Sequence, residues 1–206
     1  MLPFTVRMVV SQEDLVRAVE VRYAAYQRHA AAFAETLRAP EPLDRAPGTV
    51  VLLAEDKSDR AALGTMRIQT NAFEPLVLEQ SIALPDWLRR RRLAEATRLG
   101  VARGSIGPLV KNALFKAGLL YCRMAGVERI VIAGRTPIDR QYDALQFEEV
   151  YPGLGYIPLR HAGGMPHRIL MLEVQSARER WAATRHPMYE FVFETEHAEI
   201  DLSTPT

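Results

Sequence analysis

The sequence contains a single cysteine, Cys122, among 206 residues. One thiol cannot form an internal disulfide, and a cysteine-rich zinc site needs more than one. A chain without disulfides fits a reducing cytosol, so we expect a cytoplasmic protein. Because Cys122 lies among Leu119, Leu120 and Met124, a small buried apolar residue is a better interpretation than a nucleophile.

An excess of charge of either sign is also missing. The 26 Lys and Arg residues nearly balance the 25 Asp and Glu residues, which leaves a net charge of +1. Since nucleic-acid binders are usually far more basic, we expect no nucleic-acid partner. The charge-free segments are much shorter than the roughly 20 residues of a transmembrane helix. The first ten residues lack the layout of a signal peptide.

Metal-ligand spacing, internal repeats and low-complexity linkers are absent as well. The five histidines are scattered along the chain, so we expect no metal site. A length of 206 residues suits one domain. We therefore predict a single domain over residues 1–206, with a C-terminal extension from about residue 176 that packs on it through its aromatic residues.

Hydrophobic periodicity and turn residues predict alternating helices and strands. The expected elements are a helix over Gln12–Ala34, a β-hairpin of Thr49–Glu55 and Ala62–Thr70, a short helix over Asp86–Arg92, a strand over Leu93–Val101, a helix from Pro108 to near Gly126, a strand over Glu128–Ala133, a helix over Pro137–Leu145, extended runs near Glu148–Leu159 and Arg168–Val174, and a helix over Ser176–Thr184. This order is typical of a mixed α/β domain with one central sheet.

Charged residues interrupt two of the apolar strands. Arg67 lies in the second hairpin strand, and both Glu95 and Arg98 lie in the strand Leu93–Val101. Alternation puts Arg98 on one face of its strand. The opposite face then carries Glu95, Thr97, Leu99 and Val101. Such charges are costly unless they are paired. They indicate either a structural ion-pair network or a carboxylate base beside cations that position an acidic substrate.

A glycine-containing turn, Arg103–Gly107, follows this strand and precedes a helix. Backbone N–H groups at a helix N-terminus attract a phosphate or pyrophosphate. The turn lacks the Lys-Ser/Thr pair of a nucleoside-triphosphate loop and the glycine spacing of a dinucleotide fold. An ordinary connection is therefore an equally good interpretation.

Five short motifs, in order over about residues 15–150, resemble those of one enzyme superfamily. Glu95-x-Thr97-Arg98-Leu99-x-Val101 resembles the signature strand of acyl-homoserine-lactone synthases and N-acyl amino acid synthases, which are GNAT acyltransferases. The other resembling motifs are Arg22-x-x-x-Tyr26, Glu41-x-x-Asp44 (with Glu41 in place of an aspartate), Gly64-x-x-Arg67 and the turn after the strand. That turn departs from the usual GNAT pattern, since Arg103 is followed by glycines at 104 and 107 and Pro108 removes a donor.

The resemblance implies a GNAT fold: a mostly antiparallel twisted sheet, splayed in the middle and flanked by helices. It implies a bacterial N-acyltransferase that moves a long acyl chain from a thioester to an amino acid's amine. The segments Phe147–Tyr156 and His186–Tyr189 favour the N-acyl amino acid synthase branch. Three alternatives stay open: a lactone synthase using S-adenosylmethionine, an acetyl-CoA-dependent N-acetyltransferase, and a GNAT domain that only binds a ligand.

The same resemblance assigns roles to residues. Glu95 would be the general base, directly or through a water, with Arg67 and Arg98 pairing the acceptor's carboxylate. Residues expected to shape the substrate site are Arg22, Tyr26, Glu41, Asp44 and Thr97. Residues expected to hold the donor's phosphopantetheine or pyrophosphate are Val101, Arg103, Gly104, Ser105 and Gly107. We expect no tightly bound cofactor, only acyl-CoA or acyl carrier protein as co-substrate.

Acyl carrier proteins are acidic, and one segment is densely basic. A docking patch is expected at Arg89, Arg90, Arg91 and Arg92, extended by Lys111 and Lys116. The alternative is a solvated helix face. Aromatic residues Tyr23, Tyr26 and Phe33 recur at helical spacing, which fits either the wall of an acyl tunnel or core packing.

Overall fold

A computed structural model of the protein describes residues 1–203, which form nine strands and six α-helices. The strands are β1 Phe4–Met8, β2 Thr49–Asp56, β3 Ala62–Thr70, β4 Leu93–Val101, β5 Arg129–Gly134, β6 Glu148–Glu149, β7 Ile157–Leu159, β8 Met165–Glu173 and β9 Ile200–Asp201. The helices are α1 Gln12–Gln27, α2 Ala31–Ala34, α3 Asp86–Arg89, α4 Gly107–Met124, α5 Asp139–Ala144 and α6 Ala177–Ala183. Both hairpin strands and β4 lie where the sequence predicts them.

The strands form one twisted sheet in the order β6-β8-β5-β4-β3-β2-β1-β9, with β7 paired to β8. Most neighbours are antiparallel, but β1 and β9 run parallel, and so do β4 and β5. Their ladder joins Leu93–Ala96 to Arg129–Ile132 and goes no further, although β4 continues to Val101. The sheet therefore opens between β4 and β5 beyond Ala96, as the family resemblance implies.

Helices cover both faces of the sheet and approach it at glycines. A Cβ on Gly118 of α4 would lie 2.6 Å from Met66 Cε, so α4 packs tightly on one face. A Cβ on Gly100 of β4 would lie 3.0 Å from the Cα of Arg22, so α1 lies equally close on the other. These contacts bring Arg22 over the strand that carries Glu95.

One expectation about the N-terminal part was wrong, and one strand there was not predicted. The helix expected over Gln12–Ala34 ends at Gln27, where the backbone N–H groups of His29 and Ala30 both donate to the Tyr26 carbonyl. A second short helix begins at Ala31. The sequence also gave no prediction of β1, whose Phe4 and Val6 are fully buried between β2 and β9.

A lysine of α4, Lys116, contacts the C-terminal segment. The Lys116 ammonium donates to the carbonyls of Phe191 and Thr195 and lies 2.9 Å from His197 Nδ1. Lys116 is only 4% exposed, so it cannot extend a docking patch as expected. No helix within residues 1–203 is long and apolar enough to cross a membrane.

Candidate active site

A β-bulge in β4 sets the directions of the side chains beside the opening. Arg67 pairs with Thr97 and Thr65 pairs with Gly100, so two β4 residues lie opposite one residue of β3. Arg98 takes a left-handed backbone conformation with φ of 56°, which is uncommon for a residue with a side chain. A bulge re-aims the side chains that follow it.

The bulge overturns the predicted alternation. Arg98 joins Glu95 and Thr97 on the face that carries α1, where it bonds Glu41. Leu99 points to the other face, where it packs with the core that includes Met66. The prediction that Arg98 lies opposite Glu95 is therefore wrong, because it assumed a regular strand.

Three arginines and two carboxylates form a buried ion-pair network. Arg22 donates to both oxygens of Asp44 at 3.0 Å, and Arg67 Nη1 bonds Glu41 at 3.0 Å and Asp44 at 3.1 Å. Arg98 donates through Nε and Nη2 to the two oxygens of Glu41, both at 2.6 Å. The geometry matches the structural interpretation of these charges and explains why central strands can carry them.

The arginines determine the charge state of the network. Burial is the largest single influence and opposes ionisation of Glu41 and Asp44, but the hydrogen bonds and charges of the arginines together outweigh it and hold the pKa of each carboxyl below its usual value. Three cations then face two anions, which leaves one surplus positive charge. Arg98 Nη1 makes no hydrogen bond among the described residues, and Arg98 lines a cavity.

Glu95 stands apart from this network. Its side chain is fully buried, and Oε2 accepts a hydrogen bond from the Leu78 N–H at 3.0 Å. Oε1 has no hydrogen-bond partner within residues 1–203 and lies 3.5 Å from His161 Nε2. Burial raises the pKa of Glu95 to about 7, which is suited to a proton acceptor at neutral pH.

Two cavities meet where β4 and β5 part. Cavity 1 encloses about 260 Å³ between the sheet, α4, α5 and the segment His186–Met188, and its wall is almost wholly apolar. Cavity 2 encloses about 430 Å³ between the end of β4, α1 and the turns around Arg135 and His161. Both cavities are lined by Ala96, Leu99, Lys111 and Gln141.

Cavity 2 is lined by cations and by no carboxylate of the described residues. Its cations are Arg28, Arg98, Lys111 and Arg135, and three histidines add to them. The guanidinium of Arg135 donates to the His29 carbonyl at 2.9 Å, and that of Arg28 donates to the Val101 carbonyl at 2.6 Å. Such a wall favours anionic ligands. A group of at least three His, Cys, Asp or Glu side chains that could hold a metal is absent from residues 1–203.

The predicted site residues fall into three groups. Cavity 2 is lined by Tyr26, Thr97, Arg98, Val101 and Lys111, and also by Phe33, whose ring contacts that of Tyr26. Five predicted residues do not line cavity 2: Glu95, Arg67, Arg22, Glu41 and Asp44. Tyr23 does not line it either, and its hydroxyl bonds Glu35. The turn residues Arg103, Gly104, Ser105 and Gly107 follow Val101 but line neither cavity.

The basic run does not adjoin the opening. Arg89, Arg90, Arg91 and Arg92 are exposed and precede the first residue of β4, whereas cavity 2 lies at its last residues. At about 3.3 Å per residue, Arg92 lies roughly 25–30 Å from Val101. The sequence analysis missed Arg28, Arg135 and His161, because no local spacing marks residues that only the fold brings together.

Comparisons with known proteins give one matching family and several similar folds. A family model described as N-acyl amino acid synthase FeeM matches residues 17–162. The structure of FeeM, from uncultured soil microbes, aligns with a TM-score of 0.72 at 16% identity, over 88% of this chain and 96% of that one. A search of curated protein sequences gave no match.

Two further solved structures share the fold. BjaI, a CoA-dependent acyl-homoserine lactone synthase solved with SAM and isopentyl-CoA, aligns with a TM-score of 0.61 at 15% identity, over 98% of this chain and 95% of that one. A GNAT-family acetyltransferase from Staphylococcus aureus Mu50 gives 0.54 at 12% identity, over 82% and 99% of the two chains. The GNAT fold expected from the sequence is confirmed.

Proposed function

The chain belongs to the N-acyl amino acid synthase FeeM family, and from that premise we propose that it moves a long acyl group from a thioester to the amine of an amino acid. It is an acyltransferase of the GNAT fold. The observation that carries the proposal is the pair of neighbouring cavities at the opening of the sheet, which share four lining residues. Cavity 1 suits a hydrocarbon chain, and cavity 2 suits the anionic groups of the two substrates.

The thioester carbonyl would lie where the cavities meet, beside Ala96 and Leu99. Beyond Ala96, backbone N–H groups of β4 that point into the gap have no partner in β5. Such donors stabilise the oxyanion that forms as the amine attacks. Glu95, with its raised pKa, would finally accept the proton that the amine loses.

Arg98 is the candidate anchor for the acceptor's carboxylate. Glu41 fixes two of its nitrogens, which leaves Nη1 for a ligand in cavity 2. Arg67 is not available in the same way, because Glu41, Asp44 and Thr97 engage it and it is 1% exposed. We therefore propose Arg98 as the binding residue and Arg67 as the group that holds the network.

Mass spectrometry of the purified protein's products tests the function. The protein is incubated with a set of amino acids and with the same acyl chains on CoA and on acyl carrier protein. We expect N-acyl amino acids whose masses identify both substrates. Formation of acyl-homoserine lactones from S-adenosylmethionine, or acetylated amines only, would refute the proposal, and so would an absence of any amide.

Acyl carrier protein is one proposed donor, and the structure favours docking near the opening. Arg103, on the exposed turn beside Val101, is better placed for this than the run Arg89–Arg92. We expect Arg103→Glu to raise the KM for acyl carrier protein roughly tenfold, because charge steers association. Arg90→Glu is the matched control and should change this KM little. A larger effect of Arg90→Glu would place docking at the basic run instead.

The depth of cavity 1 should set the length of the acyl chain. Cys122 lines that cavity, and burial raises the pKa of its thiol to about 12, so it stays a neutral apolar residue. Cys122→Phe would occupy part of the cavity. Each methylene of the acyl chain that can no longer enter cavity 1 costs about 0.8 kcal/mol of binding free energy. We therefore expect kcat/KM to fall by roughly 10- to 100-fold for the longest accepted chain and little for shorter ones.

Met124→Phe provides the matched control for Cys122→Phe. Met124 lies on the same helix and is 70% exposed, so the added ring meets solvent rather than cavity 1. Initial rates with thioesters of increasing length measure both variants. An unchanged length preference in a folded Cys122→Phe protein would show that the chain binds elsewhere.

A further inference from the structure

Glu95 has no direct access to cavity 2. Its side chain is completely buried, and it is not among the residues that line the cavity. The imidazole of His161, which is 6% exposed, does line the cavity and lies between the two. A proton that leaves an amine in cavity 2 therefore needs a carrier to reach Glu95.

The backbone around His161 is fixed to the same strand as Glu95. His161 lies in the 3₁₀ turn Arg160–Ala162, and its carbonyl accepts a hydrogen bond from Arg98 Nη2 at 2.9 Å. The N–H of Arg160 donates to the Ser81 hydroxyl at 2.8 Å. Two separate contacts thus fix the backbone of the turn that carries the imidazole.

Two polar atoms of this pair are buried without a hydrogen-bond partner among residues 1–203. They are Glu95 Oε1 and His161 Nδ1. Most buried polar groups in proteins have a hydrogen-bond partner, so an unpaired one calls for an explanation. Oε1 lies 3.5 Å from Nε2 of the imidazole, and Nδ1 is the second nitrogen of the same ring. Each side chain of the pair therefore keeps one polar atom that no hydrogen bond from the described residues occupies.

We propose that His161 relays protons between the substrate amine in cavity 2 and Glu95. The inference rests on the proposed function. As the amine nitrogen bonds the thioester carbon, Nδ1 accepts a proton from it and Nε2 gives its own proton to Glu95 Oε1. The carbon–sulfur bond then breaks, and the reverse transfers deliver the proton to the leaving thiolate. Amide and thiol are formed, and both side chains regain their first protonation state.

The charges around the pair support this direction of transfer. Burial raises the pKa of Glu95 to about 7, while burial and the charge of Arg98 lower that of His161 to about 4. The carboxylate is thus the stronger base and draws a proton through a neutral imidazole. The charged or titratable groups that act on the pair are Glu41, Arg67, Glu79, Arg98 and His167.

His161→Gln tests the relay, because an amide keeps the polarity but cannot take up a proton at one atom and release it at another. With the thioester and amino acid that mass spectrometry identifies, we expect kcat to fall roughly 100-fold and both KM values to change by less than about threefold. Added imidazole should restore part of the rate of His161→Gly. A loss smaller than about tenfold in His161→Gln, or no recovery of the glycine variant, would overturn the proposal.

His197→Gln is the matched control. His197 lines neither cavity, and its partner Lys116 keeps two carbonyl contacts. Thermal unfolding reports whether each variant is folded. We expect normal turnover in this control.

A spectrum of the intact wild-type protein tests the pair without any substrate. In nitrogen-15 NMR we expect His161 as the tautomer protonated at Nε2, with ring signals that shift in Glu95→Gln. Signals that are the same in both proteins would overturn the relay. If the wild type forms no amide, the proposed function fails, and this spectrum still decides whether the two side chains share a proton.

Discussion

Glu95→Gln should lower kcat about a thousandfold while the protein stays folded. The amide fills the same space and can still accept the hydrogen bond from the Leu78 N–H. It cannot accept a proton, and general base catalysis contributes about 10²–10⁴-fold. Because Glu95 must be ionised to act, we also expect the wild-type rate to rise with pH through about 7 and the residual rate of the variant to lose this dependence.

The same substitution should stabilise the protein above neutral pH. The pKa of Glu95 is about 7 in the folded state against a usual value of 4.5, so the folded state binds more protons than the unfolded state between these values. Stability therefore falls as pH rises through this range. Glu95→Gln removes that loss, which at about 1.4 kcal/mol per pKa unit amounts to roughly 3 kcal/mol at pH 8.

Urea unfolding at pH 5 and pH 8, together with steady-state rates, measures both effects. Glu74→Gln is the control, since it makes the same change at an exposed residue of the segment before Leu78. A folded Glu95→Gln protein with wild-type turnover would exclude Glu95 as the proton acceptor. If Glu95→Gln loses the same stability at pH 5 and at pH 8, the Glu95 carboxyl of the folded wild type is ionised at both pH values.

Asp44→Asn should destabilise the fold more than any surface substitution. The Asp44 carboxylate is completely buried and bonds Arg22, Arg67 and the Glu41 N–H. Its loss leaves three arginine charges facing one carboxylate. Removing one partner from a buried ion pair costs about 3–5 kcal/mol. In a chain of this size that corresponds to a decrease in melting temperature of roughly 6–20 °C.

Calorimetry of Asp44→Asn beside Glu35→Gln measures this effect. Glu35 pairs with Arg38, and both side chains are largely exposed. Exposed pairs contribute little, so we expect the melting temperature of the control to stay unchanged. If Asp44→Asn melts like the wild type, the arginines are not held by that carboxylate. Because the pKa of Asp44 is lowered in the folded state, we also expect the free energy of unfolding of the wild type to fall as the pH decreases below the usual pKa of an aspartate.

The predicted strands were accurate where local signals are strong. Thr49–Glu55 and Ala62–Thr70 are apolar runs separated by a polar turn, and the structure differs there by a single residue. The strand Phe4–Met8 was missed although Phe4, Val6 and Met8 alternate with Thr5 and Arg7, because so short a run identifies no partner before the fold pairs it with β2 and β9. Local patterns report what a segment prefers, and long-range partners decide the rest.

The candidate site was predicted in its residue types but not in its arrangement. Arg98 and Glu41 are 57 residues apart in sequence, so their pairing was open until the fold joined them. The bulge at Arg98 has no local signal either, since arginine does not favour a positive φ. His161 was one of five scattered histidines in the sequence, and nothing in its sequence neighbours indicates contact with Glu95.

The bulge in β4 has a consequence for comparing this family's sequences. Because it adds one residue on β4 between Thr97 and Gly100, it decides whether a later position faces the apolar cavity or the cationic one. An alignment that is out of register by one residue there would exchange the two sets of side chains. At 16% identity to FeeM, the correspondence of residues beyond Thr97 must be read from superposed backbones rather than from matching letters.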